Sequence, residues 1–190
     1  MEPIILTAQE IYDLFVHRID AYSLQQPSGA YYIVRKKITL EIIEKHIRGE
    51  HTIGLYCLGK DNTIKWACID LDGDSSLLEL RQLTEDSNKI YDAFKDFKRM
   101  KEFSGRKGFH VWIFFKKPVN AGYGQRLIKA RLNSLALKEK STRFLFHEIF
   151  PKQLSLLNER SVGNLVKIPL CVHRVNKKKS VILRMDEAQK

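Results

Sequence analysis

The sequence holds little of what marks secreted, zinc-stapled or membrane-spanning chains. Among 190 residues there are three cysteines, Cys57, Cys68 and Cys171, each alone inside an apolar run. With no C-x-x-C pair and no Cys/His cluster, neither a disulfide framework nor a zinc site is expected; the thiols read as reduced core residues of a cytoplasmic protein. No apolar run approaches the roughly 20 residues a membrane span needs, and nothing resembles a signal peptide. Linkers, internal repeats and low-complexity segments are missing too.

Acidic residues are scarce in one half only. Residues 1–100 carry 13 Lys/Arg against 16 Asp/Glu, whereas residues 101–190 carry 20 against 6. The net charge of +11 therefore belongs to the second half. Such asymmetry points to a polyanion-binding face there, with a merely solubilising surface as the plainer alternative. An apolar content of 44% supports a substantial core.

Helices and strands alternate along the chain. Thr7 and Glu10 form a capping-box pattern before Ile11, Leu14, Phe15 and Ile19 at helical spacing. "AYYIVRK" reads as a strand, and "TLEIIEKHIRGE" as a helix capped by Thr39 and stopped near Gly49. "TIGLYCL" and "IKWACIDLD" read as a hairpin turned by "GKDN". A helical stripe runs from Leu77 to Phe97. "FHVWIFF" is a strand ended by Lys116, Lys117 and Pro118, and "GQRLIKARLNSLALKEK" is a basic helix. "RFLFHEIF", "GNLVKIPLCVHR" and "SVILRM" complete an α+β or α/β chain with a mixed sheet.

The chemistry concentrates in "KWACIDLDGD". On a strand, Asp70 and Asp72 share one face, with Cα atoms roughly 6.5 to 7 Å apart, while Ile69 and Leu71 enter the core. Two such carboxylates repel unless a cation lies between them, and hard oxygen donors favour Mg²⁺ or Mn²⁺. The plainer alternative is an acidic turn, with Asp72 or Asp74 capping the next helix. An EF-hand is excluded because Ser75 and Arg81 stand at its sixth and twelfth positions. A haloacid-dehalogenase-type phosphatase also starts from such a stretch, but needs a later acidic pair that is missing here.

A nucleotidyl-transfer site needs two further parts. "SGRKGFH" offers one: Gly105 and Gly108 let backbone approach phosphate, Arg106 and Lys107 bring charge, Ser104 a hydroxyl, and His110 opens the next strand. A Gly-rich turn with solvated cations is the alternative. Glu148, in the half-buried run "RFLFHEIFPKQ", is the candidate third acid, its alternative being an ion pair with a nearby Lys or Arg.

Taken in order, "CIDLDGD", "SGRKGFHVWIFF", "HEIFPKQ" and "GNLVKIPLCVHR" resemble the archaeo-eukaryotic primase superfamily, especially the small primase-polymerases of CRISPR-associated and other defence elements. The resemblance implies a small αβ N-terminal module, approximately residues 1–60, packed on an RRM-like catalytic module, approximately residues 61–190. It implies catalytic and metal-holding roles for Asp70, Asp72 and Glu148, with two Mg²⁺ or Mn²⁺ ions. Ser104, Arg106, Lys107 and His110 would bind the triphosphate, and Asn164, Lys167, His173 and Arg174 would line the nucleotide or phosphate path. Glu148 departs from the aspartate of many members. The implied activity is template-dependent joining of NTPs or dNTPs on single-stranded or primed DNA, extending a DNA or RNA primer. The chain reads as a monomeric catalytic core of a kind found within longer proteins. From another class comes a non-catalytic, basic module binding single-stranded nucleic acid by stacking and charge.

Overall fold

The computed structural model describes residues 4–73, 77–135 and 146–189. Asp74, the far end of the basic helix at 136–140 and the first residues of the "RFLFHEIF" strand lie outside them. The fold is α+β, and the described residues form four helices and two antiparallel sheets.

The capping box forms as expected. The Thr7 backbone N–H donates to Glu10 Oε2 at 2.7 Å, and Glu10 N–H donates to Thr7 Oγ1 at 3.2 Å, opening α1 (Ala8–Phe15). The helix stops at Phe15, short of Ile19, which is half exposed. Next come β1 (Tyr22–Gln25), β2 (Tyr31–Val34), α2 (Leu40–Ile47) and β3 (Ile53–Tyr56). Thr39 caps α2 by accepting from Ile42 N–H. The remaining elements are β4 (Thr63–Asp72), α3 (Leu77–Ala93), β5 (Lys98–Phe103), β6 (Gly108–Asn120), α4 (Ala121–Ser134), β7 (Phe146–Phe150), β8 (Leu165–Lys167) and β9 (Val181–Asp186). One sheet has the order β2-β1-β3-β8, the other β7-β4-β6-β5-β9.

The expected "GKDN" hairpin is only a turn. Gly59 N–H donates to Thr63 O and Leu58 bridges Ile64, but β3 then joins the first sheet and β4 the second. β3 and the middle of β4 bury apolar side chains on both faces, Leu55 and Tyr56 in the one, Trp66 and Ile69 in the other. Pairing them as an isolated ribbon would leave those faces wet, whereas central places in two packed sheets cover them. β6 also outruns its expected end, continuing through Lys116, Lys117 and Pro118 to Asn120. It does so beside a register irregularity between Ile64 and Trp66 of β4, where a proline's missing N–H is tolerated. "GNLVKIPLCVHR" is shorter as a strand than expected, pairing only over β8.

α1 is clamped on the larger sheet by edge-to-face aromatics. Phe15 and Trp112 have ring centres 4.9 Å apart, and Trp66 and Trp112 5.1 Å apart. The three cysteines are free and buried, as expected of core thiols. Among the described residues no helix is long and apolar enough to cross a membrane.

His46 ties three segments together. Its Nδ1 accepts from Ile53 N–H at 3.0 Å, and its Nε2 donates to Pro169 O at 2.8 Å. The ring is fully buried, and burial pushes its pKa down to about 4. Between the unfolded value near 6.5 and about 4, the unfolded chain binds the extra proton, so stability is full above that window and falls as pH drops through it. The loss amounts to roughly 3 kcal/mol. Urea midpoints at pH 7 and pH 4.5 measure it, and His46→Gln should flatten the dependence. Equal pH slopes in the two proteins would refute the assignment.

Candidate active site

The site grows from one register row of the larger sheet. Asp70 on β4 pairs with Glu148 on β7 and with His110 on β6, and His110 pairs with Glu102 on β5. Directly opposed residues of antiparallel strands share a face, so four ionisable side chains stand in rank on the side facing the smaller sheet. Ile69 and Leu71 point the other way and are buried, as the period of two requires.

His110 is held between carboxylates. Its Nδ1 lies 3.0 Å from Glu102 Oε2, and its Nε2 lies 3.4 Å from Asp70 Oδ1. Burial works against a charged ring, but the charges of Asp70 and Glu102 outweigh it and push the pKa up to about 10. The Nε2 approach lacks hydrogen-bond geometry, so Asp70 Oδ1 is buried without a hydrogen-bond partner. Burial opposes ionisation of Asp70 too, yet His110, Lys167 and Lys152 together hold its carboxyl below the usual value. Asp72 goes the other way: burial and then the charge of Asp70 raise it, with Lys107 Nζ, 3.6 Å away, offsetting only part.

The "SGRKGFH" segment wraps this row. Ser104 N–H donates to Gly108 O at 2.9 Å, Gly105 adopts φ +84°, and Asn176 Nδ2 donates to Gly105 O at 3.0 Å. Lys167 on β8 reaches across from the smaller sheet and donates to Ser104 O, fixing the loop from the opposite wall. Between the walls lies a cavity of about 320 Å³. Asp70, Asp72, Ser104, Arg106, Lys107 and His110 line one side, and Lys167 and His173 reach it from the other. Burial, then the charges of Lys167 and Arg106, keeps His173 below its ordinary pKa, favouring the neutral ring.

Three of the expected residues stand outside the cavity lining. Glu148 is the register neighbour of Asp70 but is ion-paired with Lys152 at 2.5 Å, the alternative considered from the sequence. Arg174 instead clamps the end of α2, donating to Gly49 O at 3.2 Å and Glu50 O at 2.7 Å. Asn164 accepts from Cys57 N–H through its backbone carbonyl, and its side-chain Oδ1 is buried without a partner. Conversely, Glu102 escaped the sequence reading altogether. Its one clue was being among only three acidic residues between 101 and 150.

Among the described residues no three His, Cys, Asp or Glu side chains are gathered as a ready metal cage. The donors nonetheless suit a divalent cation. Asp70 presents an orphaned buried oxygen, Asp72 resists ionisation through burial and then the charge of Asp70, and all the donors are hard carboxylate oxygens. A cation beside them would satisfy the orphan and cancel the repulsion. Glu148 joins only by releasing Lys152.

Residues 12–190 match the family described as "TOTE conflict system, Archaeo-Eukaryotic Primase domain". No curated protein matches the chain. Among solved structures, the polymerase domain of Ligase D from Mycobacterium tuberculosis, in complex with DNA, is similar at 14% identity and a TM-score of 0.43, covering 93% of this chain and 72% of that one. With all but the first eleven residues inside the match, this chain belongs to the archaeo-eukaryotic primase domain family of TOTE conflict systems.

Proposed function

We propose that the domain is a template-dependent nucleotidyltransferase, joining NTPs or dNTPs to a primer or initiating nucleotide on single-stranded or primed DNA. One observation carries this reading: a single cavity sets the carboxylates of Asp70 and Asp72 beside Ser104, Arg106, Lys107, His110 and Lys167. An acidic end that suits cations and a basic end that suits phosphates are what phosphoryl transfer between a hydroxyl and a triphosphate requires.

Two Mg²⁺ or Mn²⁺ ions held by Asp70, Asp72 and Glu148 would activate the attacking hydroxyl and neutralise the leaving pyrophosphate. The remaining tasks fall to the chain. Lys107 and His110 carry positive charge toward the triphosphate, where charge builds during transfer. Ser104 and the backbone around Gly105 supply donors at close range. Lys167 holds the loop so that these donors are placed before the nucleotide arrives. The basic second half supplies sequence-independent affinity for the template, falling steeply with salt. The whole chain, residues 1–190, acts as one catalytic core.

The test is extension of a primed DNA template by the purified protein, with labelled nucleotides and Mg²⁺ or Mn²⁺, and with EDTA as control. Extension that disappears with the metal supports the reading, and an unprimed reaction separates starting chains from elongating them. DNA binding without extension under either metal would sink it and leave the non-catalytic binding module in its place.

A further inference from the structure

Glu102 occupies a place that stability alone explains poorly. Its side chain is wholly inaccessible to solvent, and a buried carboxylate is costly unless well partnered. Yet only one of its oxygens is well hydrogen-bonded. Oε2 accepts from Trp112 Nε1 at 3.0 Å and meets His110 Nδ1 at 3.0 Å, while Oε1 is buried without a well-formed hydrogen bond, although Ser180 lies close to the carboxyl and, after His110 and Lys167, helps to keep it charged. An apolar side chain would fill a purely structural role at lower cost. What the carboxylate provides is an aim for the histidine.

The geometry makes that aim rigid. An indole N–H can only donate, so Oε2 is necessarily the acceptor there. Trp112 is itself fixed by Phe15 and Trp66, and the His110 ring stands edge-on to it, with centres 5.6 Å apart and planes at 87°. Glu102 and His110 are direct register partners on β5 and β6, so the backbone sets their separation. With Nδ1 engaged by Oε2, Nε2 is the nitrogen left to face Asp70 and the cavity.

We propose that Glu102 is a positioning residue, fixing the imidazole of His110 so that Nε2 is presented to the triphosphate of the incoming nucleotide. The inference rests on the reading of the cavity as a nucleotide site. It assigns Glu102 no contact with substrate: its effect passes through His110. Carboxylates that orient metal-binding histidines set the scale by analogy, their loss lowering metal affinity or activity about 10- to 100-fold.

The experiment compares Glu102→Ala, Glu102→Gln, His110→Ala and the double variant Glu102→Ala/His110→Ala in primer extension. Glu102→Ala should lower kcat/KM for the nucleotide about 10- to 100-fold, chiefly by raising KM. Glutamine, whose carbonyl oxygen can accept from both donors, should recover most of that loss. In the His110→Ala background, Glu102→Ala should change kcat/KM by less than about threefold, because the partner it aims is gone. An undiminished effect in that background, or a glutamine variant as poor as alanine, would overturn the proposal. Glu102→Ala leaves two donors unpaired and can fail to fold. Heteronuclear NMR of the His110 ring in wild type and Glu102→Gln therefore gives a second readout. A protected Nδ1–H in both is expected, and its absence from folded wild type would equally overturn the proposal. Wild-type protein that never extends DNA would sink the polymerase reading, while the ring measurement would still report on Glu102.

Discussion

Asp70→Asn should abolish nucleotidyl transfer while leaving the fold intact. The exchange preserves shape and removes only charge, at a side chain whose Oδ1 has no hydrogen-bond partner. Among the described residues it leaves Asp72 as the only carboxylate at this end of β4, and it relieves the charge that adds to burial in making Asp72 resist ionisation. Cation affinity should therefore collapse, because the central member of the Asp70, Asp72 and Glu148 group loses its charge. Cation charge stabilisation of several kcal/mol in the transition state converts to a kcat loss of about 10²- to 10⁴-fold. Lys107 and Lys167 stay in place and Glu102 still favours a charged His110 after Asp70 is lost, so KM for the nucleotide should change far less than kcat. Steady-state extension at saturating Mn²⁺, with circular dichroism melting as the control for folding, measures both quantities. A variant that extends within a few-fold of wild type would show that Asp70 serves the fold and not the chemistry.

How far this site was legible before the fold depended on whether a residue's partners were near in sequence. The alternation at Ile69, Asp70, Leu71 and Asp72 is local, and the strand obeys it, with two side chains in the core and two toward the cavity. The Gly-rich loop at the cavity was likewise readable, since its glycines, cations and serine lie within seven residues. Glu102 was not. It belongs to "KRMKEF", which has the look of a charged surface segment, yet Arg99 and Lys101 are buried there as well. Their partners come from afar: Asp186 lies 3.2 Å from Arg99, and Asn88 accepts from Lys101 at 2.7 Å. No local periodicity can encode a charge whose counter-charge is supplied by another strand.

The same reasoning explains the basic residues late in the chain. Lys167 and Arg174 look equivalent in sequence, within the one motif "GNLVKIPLCVHR". Lys167 lies on β8 where it crosses into the smaller sheet, and from there it reaches the Ser104 loop. Arg174 follows the strand's end and meets the carbonyls closing α2 instead. The hairpin expected around "GKDN" failed for a related reason: a turn signal says that the chain reverses, not that the two strands stay together. Which sheet each strand joins is decided by burial of both its faces.

Gly108→Ala should be the most damaging small substitution in the protein. Gly108 pairs with Asp72 across β4 and β6, at the open end of the carboxylate strand. A Cβ there would stand 2.0 Å from Leu71 O and 2.6 Å from Asp72 Oδ1. The carboxylate could rotate away, but the Leu71 carbonyl belongs to the backbone and can yield only by parting the two strands. That separation would move Asp70, Asp72 and His110 together, so activity should vanish even in the fraction that folds. Overpacking against fixed backbone sits at the upper end of such effects, about 3 kcal/mol or more, a fall in Tm of roughly 6–12 °C for a chain of this size. Gly124→Ala is the matched control. Its Cβ would come 2.7 Å from Ile64 Cδ1, the free end of a flexible side chain, and alanine favours the α4 helix it joins. Thermal melting and primer extension of both variants test the comparison. If Gly108→Ala melted alongside Gly124→Ala and still extended primers, the close approach of β6 to the carboxylate strand would not be what shapes this site.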